Sequence, residues 1–306
     1  MAFADSSETE IAFIPESVFG TTPATPVFQR MRVTSEDLMG EQQTTVSNEL
    51  RPDAEVADLI RVGESATGNL PFELSFGSEF DTLFEHALRG SFAANELKAG
   101  IEKKSISLEK RHETGATDHY FRFVGCRVGQ MSLNLKAQEI VTGSLQIMGL
   151  SEATDTAIIS GATYTDANSN PVMAAADVGT ITVGGVAGTL YYTDLSFSLN
   201  NNLRAQPAIG QVGAAGIGYG RREITGSIIA YFEDDDLYEE AVQNNSSSLS
   251  FALSDGSNSY SVTLPKLKFT SRKAVAGGNN QDIMAECQFQ ALYDPTEQTS
   301  IKIVKA

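Results

Sequence analysis

The chain has 306 residues, 41% of them hydrophobic, which is enough to bury a core in one large domain or two ordinary ones. A net charge of −17 with a pI near 4.6 argues against tight nucleic-acid binding, which needs clustered Lys and Arg to neutralise phosphates. No apolar run approaches the ~20 residues of a membrane helix, and the opening MAFADSSETE is polar and acidic, unlike a secretion signal.

In chain order, a strand is expected over 30–36, followed by a long connection over 37–62 that contains Pro52 among mixed charges and Val, Leu and Ile. The stretch ATGNLPFELSFGSEFDTLFEHALRG (66–90) then gives a Thr-Gly strand and a helix. Phe80, Leu83, Phe84, Ala87 and Leu88 fall on one helical face, and Ser78 with Asp81 reads as an N-terminal capping pattern. SISLEK (105–110) and YFRFVGC (120–126) flank ETGATD (113–118) as a hairpin, and MSLNL (131–135) begins a closing region over 128–149.

The segment 151–190 is rich in Ala, Gly, Ser, Thr and Asp, and reads as a connector with at most a small hairpin around ITVGGVAG. After it the same order of events recurs. A strand spans 193–203, and a Gly- and Ala-rich connection spans 204–221. EITGSIIAYFEDDDLYEEAVQN (223–244) is a second Thr-Gly strand and helix, with Asp234, Asp235 and Asp236 favouring the positive helix start. Leu83-Phe84-x-x-Ala87-Leu88 matches Leu237-Tyr238-x-x-Ala241-Val242 position for position. SDGSNS (254–259) supplies a hairpin turn, and 281–293 a closing strand. The pattern is a tandem duplication of a unit of about 100–120 residues, itself domain-sized. Connections this long are unusual, and their equivalent placement suggests reach toward a neighbouring molecule.

The chemistry of a catalytic or metal site is not evident. Cys126 and Cys287 are expected as separate buried thiols in a reducing compartment. GIGYGRR (216–222) lacks the spacing of a nucleotide loop. His112, Glu113, Asp118 and His119 flank a turn, where polar residues are ordinary, and no CxxC or HExxH accompanies them. EDDDLYEE (233–240) lacks the central Gly of a calcium loop, and His86 is expected on the solvated side of its helix. No cofactor, metal or catalytic residue is expected.

PESVFGTTPATPVFQRMRVTSEDL (15–38) resembles the arm and first strand of the tail tube proteins of long-tailed bacteriophages. The resemblance rests on Glu16, Gly20, Thr21, Pro23, Ala24 and Thr25, then on Arg32, Thr34, Ser35, Glu36 and Leu38. GESATGNLPFELS and the helix end at Leu83–Gly90 continue it through the first half, and the repeat extends it to the second. It implies a mainly β fold of two tandem tail-tube-like β-sandwich or barrel modules, each with a flanking helix. Residues 1–29 would be an extended N-terminal arm including Phe19, Pro23, Pro26 and Phe28. Modules over 30–150 and 191–306 would flank the connector 151–190.

The resemblance also implies a structural virion protein, not an enzyme. It would be assembled in the host cytoplasm into rings that stack as a tube around the phage genome. Its partners would be further copies of itself, other tail proteins (tape measure, terminator, tip), and DNA that passes without specific binding. Two units per chain imply a trimeric ring with pseudo-sixfold symmetry, with a hexamer as the runner-up. Leu50, Pro52, Val56, Pro207, Ile209, Val212 and Ile217 are expected at inter-subunit or inter-ring contacts, and Ser132, Asn134 and Lys136 on the lumen. The acidity would then keep DNA from sticking. A tail-associated adhesion or decoration β-sandwich, or a terminator or tip ring protein, is the alternative.

Overall fold

The computed structural model of the chain describes residues 3–115, 117–186, 190–232, 236–243, 245–275 and 278–306, with Asp236 described through its backbone alone. The first half supplies β1 (Glu10–Pro15), β2 (Val27–Arg30), β3 (Met39–Val46), β4 (Leu59–Glu73), α1 (Ser78–Leu88), β5 (Glu96–Lys98), β6 (Ile106–Glu113), β7 (Asp118–Lys136), β8 (Thr142–Gly149) and β9 (Ser151–Asp155). Then come β10 (Thr163–Thr165), β11 (Thr182–Val183), β12 (Tyr192–Asn200), β13 (Arg204–Pro207), β14 (Ala214–Gly218), β15 (Glu223–Tyr231), α2 (Asp236–Gln243), β16 (Ser247–Ser254), β17 (Ser259–Val275), β18 (Met284–Ala291) and β19 (Lys302–Lys305).

The central feature is one continuous antiparallel ribbon that runs through both halves. Its order is β3–β4–β8–β7–β12–β15–β18–β17. Alternation sets its two faces. Met131, Leu133 and Leu135 of β7, Leu145 and Ile147 of β8, Leu195, Phe197 and Leu199 of β12, and Cys287 and Phe289 of β18 all point into the core. Each half carries the same local pairings. Gly68 of the first Thr-Gly strand faces Ile147, and Gly226 of the second faces Phe289. The β7–β8 register slips between Val128 and Gln130, and the β17–β18 register slips at the corresponding place, between Phe269 and Ser271. Gly68 is obligatory, because a Cβ there would lie 2.6 Å from the Leu38 Cα.

The hairpins expected at ETGATD and SDGSNS are formed by β6–β7 and β16–β17, although Ala116 of the first turn lies outside the described residues. In the second turn the Asp255 carboxylate accepts from the Ser257 and Asn258 N–H groups, and Gly256 takes φ 90°, open to glycine without strain. Both helices form where the apolar spacing places them. Ser78 makes no capping hydrogen bond, however, because the capping position is Gly77. Asp234 and Asp235 of the second helix start lie outside the described residues, as do Ala187 and Gly188 of ITVGGVAG.

Three further expectations are corrected. The strand expected over 30–36 ends at Arg30, and 31–38 runs irregularly beside β4, held by Thr34 N–H to the Pro71 carbonyl and Asp37 N–H to Asn69. Pro71 has no N–H to return, so the ladder cannot close there. The long connections are largely hairpins, β3–β4 and β13–β14, with a long tip at 47–58 and a shorter one at 208–213. His86 is buried at 5% exposure rather than solvated, with Nδ1 2.7 Å from the Thr82 carbonyl.

The arm and the connector also enter the sheets. β1 pairs with β2 and β6, β10 runs parallel to β2, β9 pairs with β7, and β11 with β16. The two halves share one core across α1. Phe84 packs edge-on against Tyr260 at 5.3 Å, Phe76 stacks on the same ring at 4.9 Å, and the Tyr260 hydroxyl donates to Asp81 at 2.8 Å. Near the C-terminus β19 bridges β17 and β5.

Burial holds His86 below its ordinary pKa of 6.5, and the nearby Lys104 charge pushes in the same direction. The native state therefore binds that proton less readily than the unfolded chain does. Its contribution to stability is complete above about pH 6.5 and is lost as pH falls below it. His86→Gln is expected to flatten the fall in melting temperature between pH 7 and 5; an unchanged slope contradicts this assignment.

Candidate assembly surface

The face of the ribbon opposite the core is polar, yet its middle carries almost no charge. Gln130, Ser132 and Asn134 from β7, Ser144 and Gln146 from β8, and Ser196, Ser198, Thr225, Ser227 and Gln288 from the second half form a band of hydroxyls and amides. Neighbouring side chains satisfy one another, each at 2.9 Å: Ser132 with Ser144 and Ser196 with Ser227 directly across the strands, and Gln130 with Ser198 on the diagonal. Such cross-strand pairs add modest stability and fix register. The band is dished, with a cleft of about 410 Å³ among Ser132, Asn134, Ser198, Thr225 and Gln288. Lys136 lies at its rim, ion-paired with Glu139 at 2.8 Å. The net negative charge of the chain is therefore not concentrated on this face.

The ribbon has two open ends. At one, the segment 34–46 is bonded to β4 on one side, and among the described residues no strand pairs with its other side; the Glu152 carboxylate accepts from the Gly40 N–H. At the other, β17 beyond Leu267 is paired, among the described residues, with β18 alone. These ends differ in charge: Asp37 and Glu41 lie on the first, where Glu36 is paired with Lys110 at 3.2 Å, and Lys268 and Arg272 on the second, where Lys273 reaches Glu286 at 3.9 Å. Edge strands expose unpaired N–H and C=O groups, which makes them templates for another strand.

Both hairpins project past the same end of the ribbon and touch one another, Glu64 N–H donating to the Val212 carbonyl at 3.1 Å. Leu50 and Ile209 are fully exposed, at 102% and 107%; Val56 and Val212 are also exposed, as are Pro52 and Pro207. Ile217 differs: at 3% exposure it packs inside the chain, and its side chain is not available to a neighbour. In the arm, Phe19 and Pro23 are half-buried, while Pro26 and Phe28 are buried, with Phe28 stacked on Tyr164 at 5.6 Å.

The turn residues His112, Glu113, Asp118 and His119 do not converge on a metal. Arg111 takes Glu113 at 2.6 Å and Asp118 at 3.2 Å, and His112 bonds to Thr9. Among the described residues no cluster of His, Cys, Asp or Glu has the makings of a metal site. Both cysteines are buried and unpaired; burial pushes both thiols up, Cys287 to about 11.

Sequence reasoning missed a group of arginines. Arg89, Arg127, Arg204 and Arg222 meet around Tyr219, although they are scattered through an acidic chain. The only local signal was the Arg-Arg pair ending GIGYGRR.

The sequence profile of phage tail tube proteins matches residues 6–291, so the chain belongs to the phage tail tube protein family. Among solved structures it is similar to a chain from a cryo-EM structure of the anti-feeding prophage baseplate, six-fold symmetrised. The identity is 8% and the TM-score 0.34, over 48% of this chain and 92% of that one. No curated protein matches it.

Because the hairpin tips lack intrachain packing, Leu50→Ser and Ile209→Ser are expected to leave the melting temperature unchanged. Ile217→Ala should cost about 2–5 kcal/mol, the range for emptying a buried aliphatic site. Equal effects at the three positions would contradict the placement of Ile217.

Proposed function

We propose that this tail tube family member closes, three chains at a time, into a ring whose neutral polar face lines the lumen, and that such rings stack into a conduit for the phage genome. The observation that carries the reading is the β7–β12 joint, where the two halves of one chain are already sewn together edge to edge. Lys136 faces Asp194, Asn134 faces Ser196, Ser132 faces Ser198 and Gln130 faces Asn200. The matched register slips make β17 the counterpart of β7, and the matched Thr-Gly strands make 34–41 the counterpart of β12. The reading takes the halves as the products of a duplication.

Carrying the internal joint onto the open ends gives a specific register between chains. Lys273 would face Met39 of the next chain, Ser271 would face Glu41, and Val275 would face Asp37. The basic end meets the acidic end, which favours this pairing over two like ends meeting. A head-to-tail contact whose rotation closes gives a ring.

A hydroxyl- and amide-lined lumen suits a passage for DNA. It offers no row of Lys or Arg to hold phosphates by counterion release, and neutral groups hydrogen-bond with water as readily as with the cargo. The exposed apolar tips at Leu50, Val56, Ile209 and Val212 suit contacts with the next ring. Tape measure, terminator and tip proteins would be its partners at the ends of the tube, and the host cytoplasm its place of assembly. No catalytic role is part of this reading.

The register is the test. A Lys273→Cys, Met39→Cys variant is expected to give interchain disulfides on mild oxidation of the assembled protein, since facing strand residues lie within disulfide reach. A Ser271→Cys, Asp37→Cys variant, four positions out of register, should not. Equal cross-linking of the two, or none in the first, overturns the edge pairing.

A further inference from the structure

In a chain of net charge −17, most buried or half-buried cations are paired with carboxylates, but the arginines around Tyr219 are not. Among the described residues, Arg89, Arg127, Arg204 and Arg222 form no ion pair. Arg127 is sandwiched between the rings of Phe19 at 4.4 Å and Tyr219 at 4.8 Å, and Arg89 lies on Tyr219 at 3.9 Å. Their N–H groups go to main-chain carbonyls instead. Arg222 bonds to Leu88 and Gly100, Arg89 to Ile101 and Glu102, Arg204 to Tyr219, and Arg127 to Ile217. Arg127 is 7% exposed, and its Nε has no partner; the Nε of Arg222 has none either.

The nearest carboxylate to Arg127 in charge terms, Glu16, is committed to Gly20, Ser105, Ser107 and Gly125. Burial, with Arg89 as a second cause, lowers Arg222 to about 10, and burial lowers Arg89 and Arg127 as well. Cations packed this closely without counter-charge favour an anion. The cleft lined by Arg89, Arg127 and Arg204, about 470 Å³ and open between the arm, Lys103 and the base of the β13–β14 hairpin, has room for one.

The position of the cleft identifies the occupant. Arg127 is level with Met148, at the end of the ribbon from which both hairpins project. The opposite end, roughly 30 Å away at ~3.3 Å per residue, holds Lys136, Asp194, Tyr231 and Met284. There the acids prevail. Lys136 and Lys273 are already bound to Glu139 and Glu286, while Glu73, Asp177, Asp194 and Asp282 have no ion pair among the described residues. Copies stacked head to tail bring a basic cleft against an acidic rim.

Resting on the stacked-ring reading, we propose that the arginine cleft is a receptor for carboxylates of a second copy, presented by the Asp177, Asp194 and Asp282 end of its ribbon. Stacking is thereby given a polarity. Like ends repel, and unlike ends exchange charge-assisted hydrogen bonds with guanidiniums already oriented by stacking and by their carbonyl partners.

Charge reversal on each side, and then on both, tests the proposal. Lys103 and Arg204 are exposed on the cleft, as are Asp177 and Asp282 on the rim, so reversal at these positions spares the core. Sedimentation and electron microscopy of the full chain are the readouts. Lys103→Glu with Arg204→Glu, and separately Asp177→Arg with Asp282→Arg, should each shorten stacks and weaken ring-to-ring association at least tenfold, with single rings preserved. The four substitutions together should restore a substantial part of it. Undiminished stacking in the single-sided variants, or no recovery in the combination, overturns the proposal while leaving the ring reading intact. A wild-type protein that forms no rings at all removes that reading, and the proposal with it. Calorimetry with inorganic phosphate separates the remaining case: phosphate binding lost in the cleft variant, with stacking unaffected, would make the cleft a small-anion site and refute the inter-copy contact.

Discussion

A β-strand at the end of a sheet keeps a row of N–H and C=O groups that water or another strand must satisfy, and the rest of this structure is organised around that demand. Inside the chain the demand is met at the β7–β12 joint, which turns two half-sheets into one ribbon. Among the described residues, no strand of the chain meets it on the outer side of 34–46 or along β17 beyond Leu267. One end carries Asp37 and Glu41, beside a Glu36 already paired with Lys110, and the other carries Lys268 and Arg272, beside a Lys273 that reaches Glu286. Pairing of like ends would bring like charges together and a head-to-tail pairing unlike ones, so in the proposed assembly this distribution would disfavour the first and favour the second.

The stiffness of the ribbon comes from what lies behind it. α1 puts Phe80 and Phe84 between the Thr-Gly strand of its own half and Tyr260 of the other, and the Tyr260 hydroxyl is held by Asp81, which Lys305 in turn engages. Because β19 also joins β5 to β17, the two halves cannot rotate independently without breaking a common core. A fixed angle at the internal joint is what a closed ring requires of each step. The neutral hydroxyl band on the exposed face costs nothing in this arrangement, since its facing pairs satisfy each other and the remaining groups meet water.

Much of this was readable from local pattern. The helix periodicity of Phe80–Leu88, the Asp-Gly of SDGSNS and the alternation of MSLNL each mark an element through contacts a few residues apart, and those elements are where the pattern puts them. What failed depended on distant partners. The strand expected over 30–36 is interrupted by a proline on the neighbouring strand, Pro71, which no reading of 30–36 alone could reveal. The long connections looked like loops because hairpin strands exposed on both faces carry no apolar alternation; β3 has seven exposed positions among its eight. His86 sits on the polar side of its helix by sequence, but Lys104 and Ser105 from a later segment cover that side. The arginines of the cleft come from four separate parts of the chain, and only folding brings them together.

The central claim is that three chains, each contributing two matched units, close one ring. Cryo-EM of assembled tubes tests it most directly, by imposing no symmetry and counting chains per ring. The account predicts three chains, with true threefold symmetry and a pseudo-sixfold wall formed by alternating first and second halves. Six chains per ring, with one half of each lining the lumen and the other outside it, would contradict it.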